Sequence, residues 1–306
     1  MIKTTSWDSQ AWLDDFNNST SRDTARQLLA DVYQNTIDIV TARHYVTEQG
    51  SEVKLPNDRR MIVDSVMYSR PISANHIPAR GENTVIEIVN ADSIDTGHRL
   101  LNEGFIVAVL NLASDRIPGG GVVSGSSAQE ESLFRRSNLF RSLYQFSRFA
   151  PQYGLTRNRE QYPLNDHFGA VYTPGATIFR TSQREGFRLL EIPYALSFIA
   201  VAAVRNPELD RHGWMSAHDV ELTLNKMRTI LRVGLRHGHD ALVLGAMGCG
   251  SFHNPPKHVA QLFHEVINEP EFRNKFRHLT FAILARGRSM ENLAAFQTEF
   301  QSLSLF

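Results

Sequence analysis

The stretch from Val109 to Leu143 most constrains the fold of this chain, because its character changes twice over a short distance. The continuous apolar run Phe105–Leu110 leads into it, and three consecutive glycines follow at Gly119–Gly121. Glycine reaches backbone angles that are closed to other residues, and a glycine loop can wrap its N–H groups round an anion. Beyond the loop, apolar residues recur at helical spacing, and Ser127 with Glu130 matches a capping box. The stretch predicts a strand, a glycine loop and a helix in that order.

Two adjacent carboxylates, Glu130 and Glu131, fall in the first turn of this predicted helix. A glycine triplet is more often a plain loop, and Glu in a first turn usually serves the helix dipole and the cap. The capping box explains Glu130 but leaves Glu131 unexplained. Adjacent helical residues point about 100° apart, so the pair cannot flank a bond as a glycosidase pair does. If chemistry occurs here, one carboxylate performs it and the other orients something.

Further strands are predicted to end in polar or glycine-rich loops. Thr84–Val89 alternates like a strand and precedes Asp92, while Asn111 lies at the end of the apolar run. Ala241–Leu244 is a buried strand that opens into the glycine-rich loop Gly245–Pro256. Strand–helix–strand units bind ligands beyond the carboxyl ends of their strands. The loop lacks the third glycine of a dinucleotide fingerprint, which argues against an NAD site.

The remaining patterns give a coarse outline. Ser21 is predicted to cap an N-terminal helix, and Ser216 a long amphipathic helix later in the chain. Arg59–Val66 is a short strand or a loop. Val171–Gly175 ends a short strand, and Thr177–Arg180 is a second one. Leu189–Val201 is predicted to be a strand leading into Ala195–Val204, because Pro193 argues against a continuous helix.

Several of these residues together carry a resemblance to a known family. Three glycines, a spacer of seven residues and Gln129-Glu130-Glu131 resemble the catalytic signature of the poly(ADP-ribose) glycohydrolases. The longer string NLAS…PGGG…AQEESL resembles their bacterial, microbial-type branch. The resemblance implies an α/β fold, a three-layer macrodomain with a central mixed sheet. The catalytic domain would occupy residues 81–306, with residues 1–80 forming an N-terminal helical extension packed on the core.

The resemblance also implies a reaction, the hydrolysis of ribose–ribose O-glycosidic bonds in poly(ADP-ribose) with release of ADP-ribose. Glu131 would protonate the leaving 2′-oxygen and then deprotonate the attacking water. Glu130 would hold a neighbouring ribose hydroxyl, and Gln129 would position the loop. No metal or redox cofactor is required, and the sequence contains no HExxH motif or cysteine cluster.

The resemblance assigns the binding residues as well. Asp92 would accept from the adenine amino group, although an Asp at a strand end more often caps the next helix. Asn111 would touch the distal ribose, and Phe252 would stack on the adenosine. Cys249 is interpreted as a position set by backbone geometry and not as a nucleophile. The two glycine loops that would hold the diphosphate comprise Gly119, Gly120, Gly121, Gly248, Cys249, Gly250, Ser251 and Phe252.

Charge and cysteine content set the expected partners and location. The 32 basic and 32 acidic residues balance, so nothing global steers the chain to nucleic acid or a membrane. Arg135, Arg136 and Arg141 are a local basic group that could still meet a polyanion. A single cysteine excludes an internal disulfide, and no signal peptide or long apolar run appears, so a cytoplasmic location is expected. Poly(ADP-ribose), ADP-ribose and ADP-ribosylated proteins are the expected partners, in ADP-ribosylation reversal and the DNA damage response.

Other functions remain open at this point. A macrodomain that reads ADP-ribose without cutting it needs the glycine loops but no acid. A hydrolase of the same fold could release protein-linked mono(ADP-ribose) or act on a free metabolite. A phosphate-binding structural protein would have no affinity for ADP-ribose.

Overall fold

The computed structural model describes residues 5–74, 78, 80, 82–285 and 290–301. Gly81, the first residue of the predicted catalytic domain, lies outside the described residues. The contacts between residues divide the chain into two compact units. The first unit comprises Met1–Val66, Arg116–Tyr162 and Thr173–Leu196, and the second comprises Met67–Asp115, Pro163–Tyr172 and Ser197–Phe306.

The first unit is mainly helical. Ser21 caps its longest helix as predicted, since the Ser21 hydroxyl accepts from the Thr24 backbone N–H. Trp12, Leu29 and Phe187 belong to a small buried cluster that packs the N-terminal helices. The elements are α1 (Ser9–Asn17), α2 (Arg22–Ala42), β1 (His44–Val46), β2 (Glu52–Lys54), α3 (Arg59–Val63), α5 (Gln129–Arg136) and α6 (Leu139–Tyr144).

The segment from Arg59 forms helix α3, so the prediction of a strand or loop at Arg59–Val66 is wrong. Its only buried residue is Met61, and Arg60 pairs with Asp64 one turn later at 3.3 Å. A five-residue helix with one buried side chain shows no apolar period, which is why the sequence pattern does not reveal it.

The predicted single helix beyond the glycine loop is two helices, α5 and α6. Between them Ser137 forms an isolated antiparallel bridge with Ile178, and its hydroxyl donates to the Leu133 carbonyl at 2.7 Å. The Asn138 side-chain oxygen accepts from the Thr177 backbone N–H at 2.7 Å. These bonds replace the helical ladder at the break and hold both helices to the chain around Ile178.

The second unit contains the parallel part of the sheet. Predicted strands at Thr84–Val89, the apolar run and Ala241–Leu244 are all confirmed, and Ser216 caps the long helix by accepting from the Asp219 N–H. Its elements are β4 (Val85–Val89), α4 (Ser93–Asn102), β5 (Val107–Leu112), α7 (Ala217–Arg236), β8 (Ala241–Leu244), α8 (Pro256–Asn268), β9 (His278–Ala282) and α9 (Met290–Gln301).

Three further strands complete the sheet: β3 (Val66–Tyr68), β6 (Ala170–Arg180) and β7 (Leu189–Val201). In the described residues the sheet has the order β3-β6-β7-β5-β8-β9-β4. β6 is continuous through Pro174 and Gly175, so the prediction of two separate strands there is wrong. Gly175 has a positive φ of 58°, and the strand nevertheless continues to Arg180. β7 confirms the predicted strand with its internal proline.

The pairings β4–β9, β9–β8, β8–β5 and β5–β7 are parallel. Parallel neighbours place their carboxyl ends at one edge, where ligands bind in open α/β sheets. β5 is central and its first five residues are buried, as the apolar run predicts. The α/β class with a central mixed sheet and a helical N-terminal region is therefore confirmed. None of the helices in the described ranges is long and apolar enough to span a bilayer.

Candidate active site

The triple-glycine loop is closely packed against α5 of the first unit. Gly119 and Gly120 have positive φ angles of 75° and 50°, which residues with a Cβ atom rarely adopt. A Cβ atom at Gly119 would lie 2.5 Å from the Phe134 ring, and one at Gly120 would lie 2.7 Å from Glu131 Oε1. Both positions require glycine twice over, for their backbone angles and for the close approach of the helix.

A backbone N–H of this loop binds the carboxylate of Glu131. The Gly121 N–H donates to Glu131 Oε1 at 3.0 Å. This bond spans ten residues and fixes the loop to the start of α5. The structure thus brings the predicted loop and the predicted acid into direct contact.

The predicted capping box is wrong. α5 begins at Gln129 with Ala128 as its N-cap, and no side chain caps it. A box with Ser127 as the cap would start the helix one residue earlier and place Glu130 at the third position. Glu131 occupies that position instead, and its carboxylate accepts from the loop and not from its own helix end.

Both carboxylates are nearly inaccessible to solvent. The exposed fraction is 3% for Glu130 and 7% for Glu131. Their positions in the first turn are those where the helix dipole stabilises negative charge. Both approach the glycine loop, since a Cβ at Gly120 would lie 2.7 Å from Glu131 Oε1 and 3.7 Å from Glu130 Oε2, and the charge of Glu130 also acts on a tyrosine hydroxyl. Burial raises the pKa of Tyr162 well above its usual value, and the charge of Glu130 raises it further.

Arg135 holds α5 in place through hydrogen bonds. Its side chain is 1% exposed, and it donates to the carbonyls of Leu29 at 2.8 Å and Ser126 at 2.6 Å. The Thr36 hydroxyl donates in turn to the Arg135 carbonyl at 2.6 Å. Burial lowers the pKa of Arg135 to about 10, and the charge of Glu131 opposes this shift. The helix that carries the acid is therefore hydrogen-bonded to α2.

Arg180 extends this buried network. It donates to the Thr36 hydroxyl at 3.1 Å, to the Phe187 carbonyl at 2.9 Å and to the Asn35 side-chain oxygen. Burial lowers its pKa to about 9. Each of these partners is an uncharged oxygen, so the arginine serves as a rigid multiple donor.

The predicted basic group at the surface is not formed. Arg135 and Arg136 are each 1% exposed, and Arg136 donates to the Arg180 carbonyl at 3.3 Å. Arg141 pairs with Asp58 at 2.9 Å. Charge in a sequence does not distinguish a surface cluster from buried donors to carbonyl groups, so the expectation of a polyanion contact there is wrong.

In the second unit, Asp92 and Asn111 lie at the carboxyl ends of β4 and β5. Asp92 caps α4, because its Oδ1 accepts from the N–H groups of Ile94 at 2.8 Å and Asp95 at 3.2 Å. Asn111 is fully buried within β5, opposite Ala200 of β7. The capping alternative for Asp92 thus holds, and its contact with adenine stays a prediction.

The loop after β8 is built around Gly248. Its φ is 74°, and a Cβ there would lie 2.5 Å from Asn254 Nδ2 and 2.6 Å from Ala203 Cβ. Asn254 is 3% exposed and donates to the carbonyls of Val204 at 2.7 Å, Phe252 at 3.1 Å and Gly248 at 3.3 Å. Sequence reasoning missed Asn254, whose only signal was its place between the glycines and two prolines.

Cys249 lies in the same loop. Burial raises the pKa of its thiol to about 12, and its Sγ lies 3.6 Å from the Met247 carbonyl. A thiol in this state is a poor nucleophile, in line with the sequence interpretation. Within the described ranges, no group of three His, Cys, Asp or Glu side chains could hold a metal ion.

Comparison with known proteins places this geometry in a family. Residues 33–181 match the model of the microbial-type PARG catalytic domain, a span that includes the triple-glycine loop and Glu131. The chain is similar to poly(ADP-ribose) glycohydrolase (PARG) from Thermomonospora curvata, with 30% identity, a TM-score of 0.75 and coverage of 90% of this chain and 100% of that one. For that enzyme bound to the inhibitor ADP-HPD, the identity is 29% and the TM-score 0.73, with the same coverage.

The chain is also similar to PARG from Deinococcus radiodurans in complex with ADP-ribose. The identity is 28%, the TM-score 0.64 and the coverage 82% of this chain and 100% of that one. No curated protein sequence matches the chain. The family model and the solved structures confirm the resemblance and the macrodomain-like fold. This chain belongs to the microbial-type poly(ADP-ribose) glycohydrolase family.

Proposed function

We propose that this chain is a glycosidase that hydrolyses the ribose–ribose O-glycosidic bonds of poly(ADP-ribose) and releases ADP-ribose. One observation carries the proposal: a backbone N–H of the triple-glycine loop binds the carboxylate of a buried glutamate, Glu131 Oε1. A reader of ADP-ribose needs the loop but has no use for a buried acid held by it. Family membership and the ADP-HPD and ADP-ribose complexes of the similar enzymes support the same reaction.

In the proposed mechanism, Glu131 is the general acid and then the general base. Because Oε1 accepts from the Gly121 N–H, the proton to be transferred resides on Oε2. Glu131 gives this proton to the 2′-oxygen as the bond from that oxygen to the anomeric carbon breaks. The carboxylate then removes a proton from the water that attacks the oxocarbenium-like carbon. The acid is thereby restored in its protonated form.

Glu130 and Gln129 have supporting roles in this proposal. Glu130 points about 100° away from Glu131 on the helix and holds a ribose hydroxyl. Its burial among tyrosines supports a role in fixing one polar group in place. Gln129, the first residue of α5, positions the loop.

The ADP-ribose-binding residues are proposals from the family pattern. Asp92 accepts from the adenine amino group, Asn111 contacts the distal ribose and Phe252 stacks on the adenosine. Backbone N–H groups of the two glycine loops, Gly119–Gly121 and Gly248–Phe252, bind the diphosphate, apart from the Gly121 N–H, which Glu131 occupies. The positive φ angles of Gly119, Gly120 and Gly248 support this, since such angles turn successive N–H groups toward an anion.

The deciding experiment compares hydrolysis of labelled polymer by wild type, Glu131→Gln and Glu221→Gln. Glu221 is an exposed residue of α7, so its substitution controls for the loss of one charge. Glu131→Gln should lose about 10²–10⁴-fold in kcat while ADP-ribose still binds in calorimetry. Full activity of Glu131→Gln would exclude it as the acid.

The products distinguish the alternative functions. Free ADP-ribose from long polymer supports the glycohydrolase. Binding of ADP-ribose without any cleavage by wild type would identify a reader. Release of only the protein-linked unit would identify a mono(ADP-ribosyl) hydrolase.

The cellular setting belongs to the same proposal. We place the reaction in the cytoplasm, acting on free polymer and on ADP-ribosylated proteins in the DNA damage response. The single cysteine of the chain can form no internal disulfide, which is in keeping with a reducing compartment. Polymer should accumulate after DNA damage in cells that lack the protein, and an unchanged polymer level would contradict this role.

A further inference from the structure

A cation covers the aromatic ring of the second-unit glycine loop. The guanidinium carbon of Arg205 lies 4.0 Å from the centroid of the Phe252 ring. At this distance the positive charge is attracted by the electron-rich face of the ring. Phe252 is half-buried and also packs against the hydrophobic core of its unit. The ring therefore carries a planar cation on one face, and the residue also contacts the apolar core.

Arg205 is itself held in place. Its Nη2 donates to Asp115 Oδ1 at 2.5 Å. Asp115 is anchored through its backbone, because its carbonyl accepts from the Leu164 N–H at 2.8 Å. The charge of Asp115 also acts on buried Lys226. Burial lowers the pKa of Lys226 to about 8, and the negative charges of Asp166 and Asp115 oppose this shift. Asp115 thus joins a fixed backbone to the guanidinium.

The backbone of Phe252 is fixed independently of this pair. Its carbonyl accepts from the Asn206 N–H at 2.9 Å and from Asn254 Nδ2 at 3.1 Å. His253 Nδ1 lies 2.9 Å from Asn206 Oδ1, a second contact between the glycine loop and the segment around Asn206. With the main chain held by these bonds, the contact left to Arg205 is with the ring.

We propose that Arg205, held by Asp115, is a positioning residue that keeps the Phe252 ring in the orientation that receives the nucleoside of ADP-ribose. The inference rests on the proposed function and adds a residue to it. Arg205 acts through the ring and does not bind the diphosphate. Its removal therefore weakens substrate binding, and it leaves the chemistry at Glu131 largely intact.

The molecule offers a matched control. Arg277 lies 4.4 Å above the Phe105 ring and pairs with Asp240 at 3.2 Å. This pair is also a cation over an aromatic ring in the second unit. Arg277 directly precedes the first residue of β9, so it lies away from the carboxyl ends of the strands, where the glycine loop after β8 begins. Arg277→Ala removes an equivalent cation without touching the proposed binding residues.

The test measures ADP-ribose binding by calorimetry and polymer hydrolysis for wild type, Arg205→Ala, Phe252→Ala, the double variant and Arg277→Ala. Arg205→Ala should raise Kd and KM about fivefold to tenfold with a smaller change in kcat, and Arg277→Ala should match wild type. The double variant should bind no more weakly than Phe252→Ala, because the arginine acts through the ring.

Additive losses in the double variant would mean that Arg205 contacts the ligand directly, which overturns the inference. Equal binding by Arg205→Ala and Arg277→Ala overturns it too, and leaves the proposed function standing if wild type cleaves the polymer. Absence of both binding and cleavage in wild type overturns the proposed function and, with it, this inference.

Discussion

The contact between Gly120 and Glu131 allows the aim of the acid to be tested without removing it. In Gly120→Ala, the new Cβ would lie 2.7 Å from Oε1, whereas ordinary van der Waals contact begins at 3.4 Å. The carboxylate must retreat by about 0.7 Å, and the hydrogen bond from Gly121 stretches with it. A misplacement of about 1 Å costs on the order of 10²-fold in rate. We expect kcat to fall about 100-fold.

The same substitution also carries a backbone cost. A non-glycine residue at a φ of 50° is destabilised by about 1–2 kcal/mol. Gly154 supplies the control, since its φ is 65° and an added Cβ there meets nothing within 4 Å. Gly154→Ala should lose a similar amount of stability with kcat unchanged, so the difference between the two variants isolates the displaced carboxylate.

Steady-state hydrolysis of labelled polymer and urea unfolding of both variants provide the measurements. If Gly120→Ala turns over as fast as Gly154→Ala at similar stability, the loop does not aim the acid. The role given to the Gly121 hydrogen bond would then be refuted as well.

Three other predictions follow from the second unit. Asn254→Ala removes the donor shared by three carbonyls, and ADP-ribose affinity in calorimetry should fall about tenfold; unchanged affinity would show that the loop needs no such tie. Because burial raises the pKa of Cys249 to about 12, its alkylation at pH 8 should be at least ~100-fold slower in the folded protein than in urea, and equal rates would contradict the burial. Burial lowers the pKa of His237 from 6.5 to about 4, so the unfolded state binds the extra proton between these values and stability falls as pH drops from 6.5 to 4. Urea titrations should show a smaller loss over this range for His237→Gln, and an identical loss would assign the pH dependence elsewhere.

The elements that the sequence predicts correctly are those that depend on residues close together in the chain. The apolar run gives the central strand β5 because a strand covered on both faces needs apolar side chains at every position. Spacing and the family resemblance single out Gly119–Gly121 and Glu131, and the structure brings the loop and the carboxylate into contact because they are neighbours in the chain. Ser21 and Ser216 mark helix starts for the same local reason.

The errors lie where distant residues decide the outcome. The capping box fails because α5 begins one residue later than Ser127 predicts, which leaves Glu131 at the third position with a loop amide as its partner. The buried state of Arg135 depends on the Leu29 carbonyl, 106 residues away, and no charge pattern reports such a partner. Arg205 escapes notice in the same way, since its ring partner is 47 positions further on. Local spacing predicts which segments carry function, and long-range hydrogen bonds decide how their side chains are held.

The attachment of α5 to α2 has a consequence for efforts to alter the enzyme. Arg135 reaches the Leu29 carbonyl, and Thr36 reaches back to the Arg135 carbonyl. A random variant library screened for changed turnover should therefore yield hits among residues 22–42 as well as in the triple-glycine loop. Trimming the N-terminus to obtain a smaller enzyme would remove the hydrogen bonds from α2 that hold the helix of Glu131.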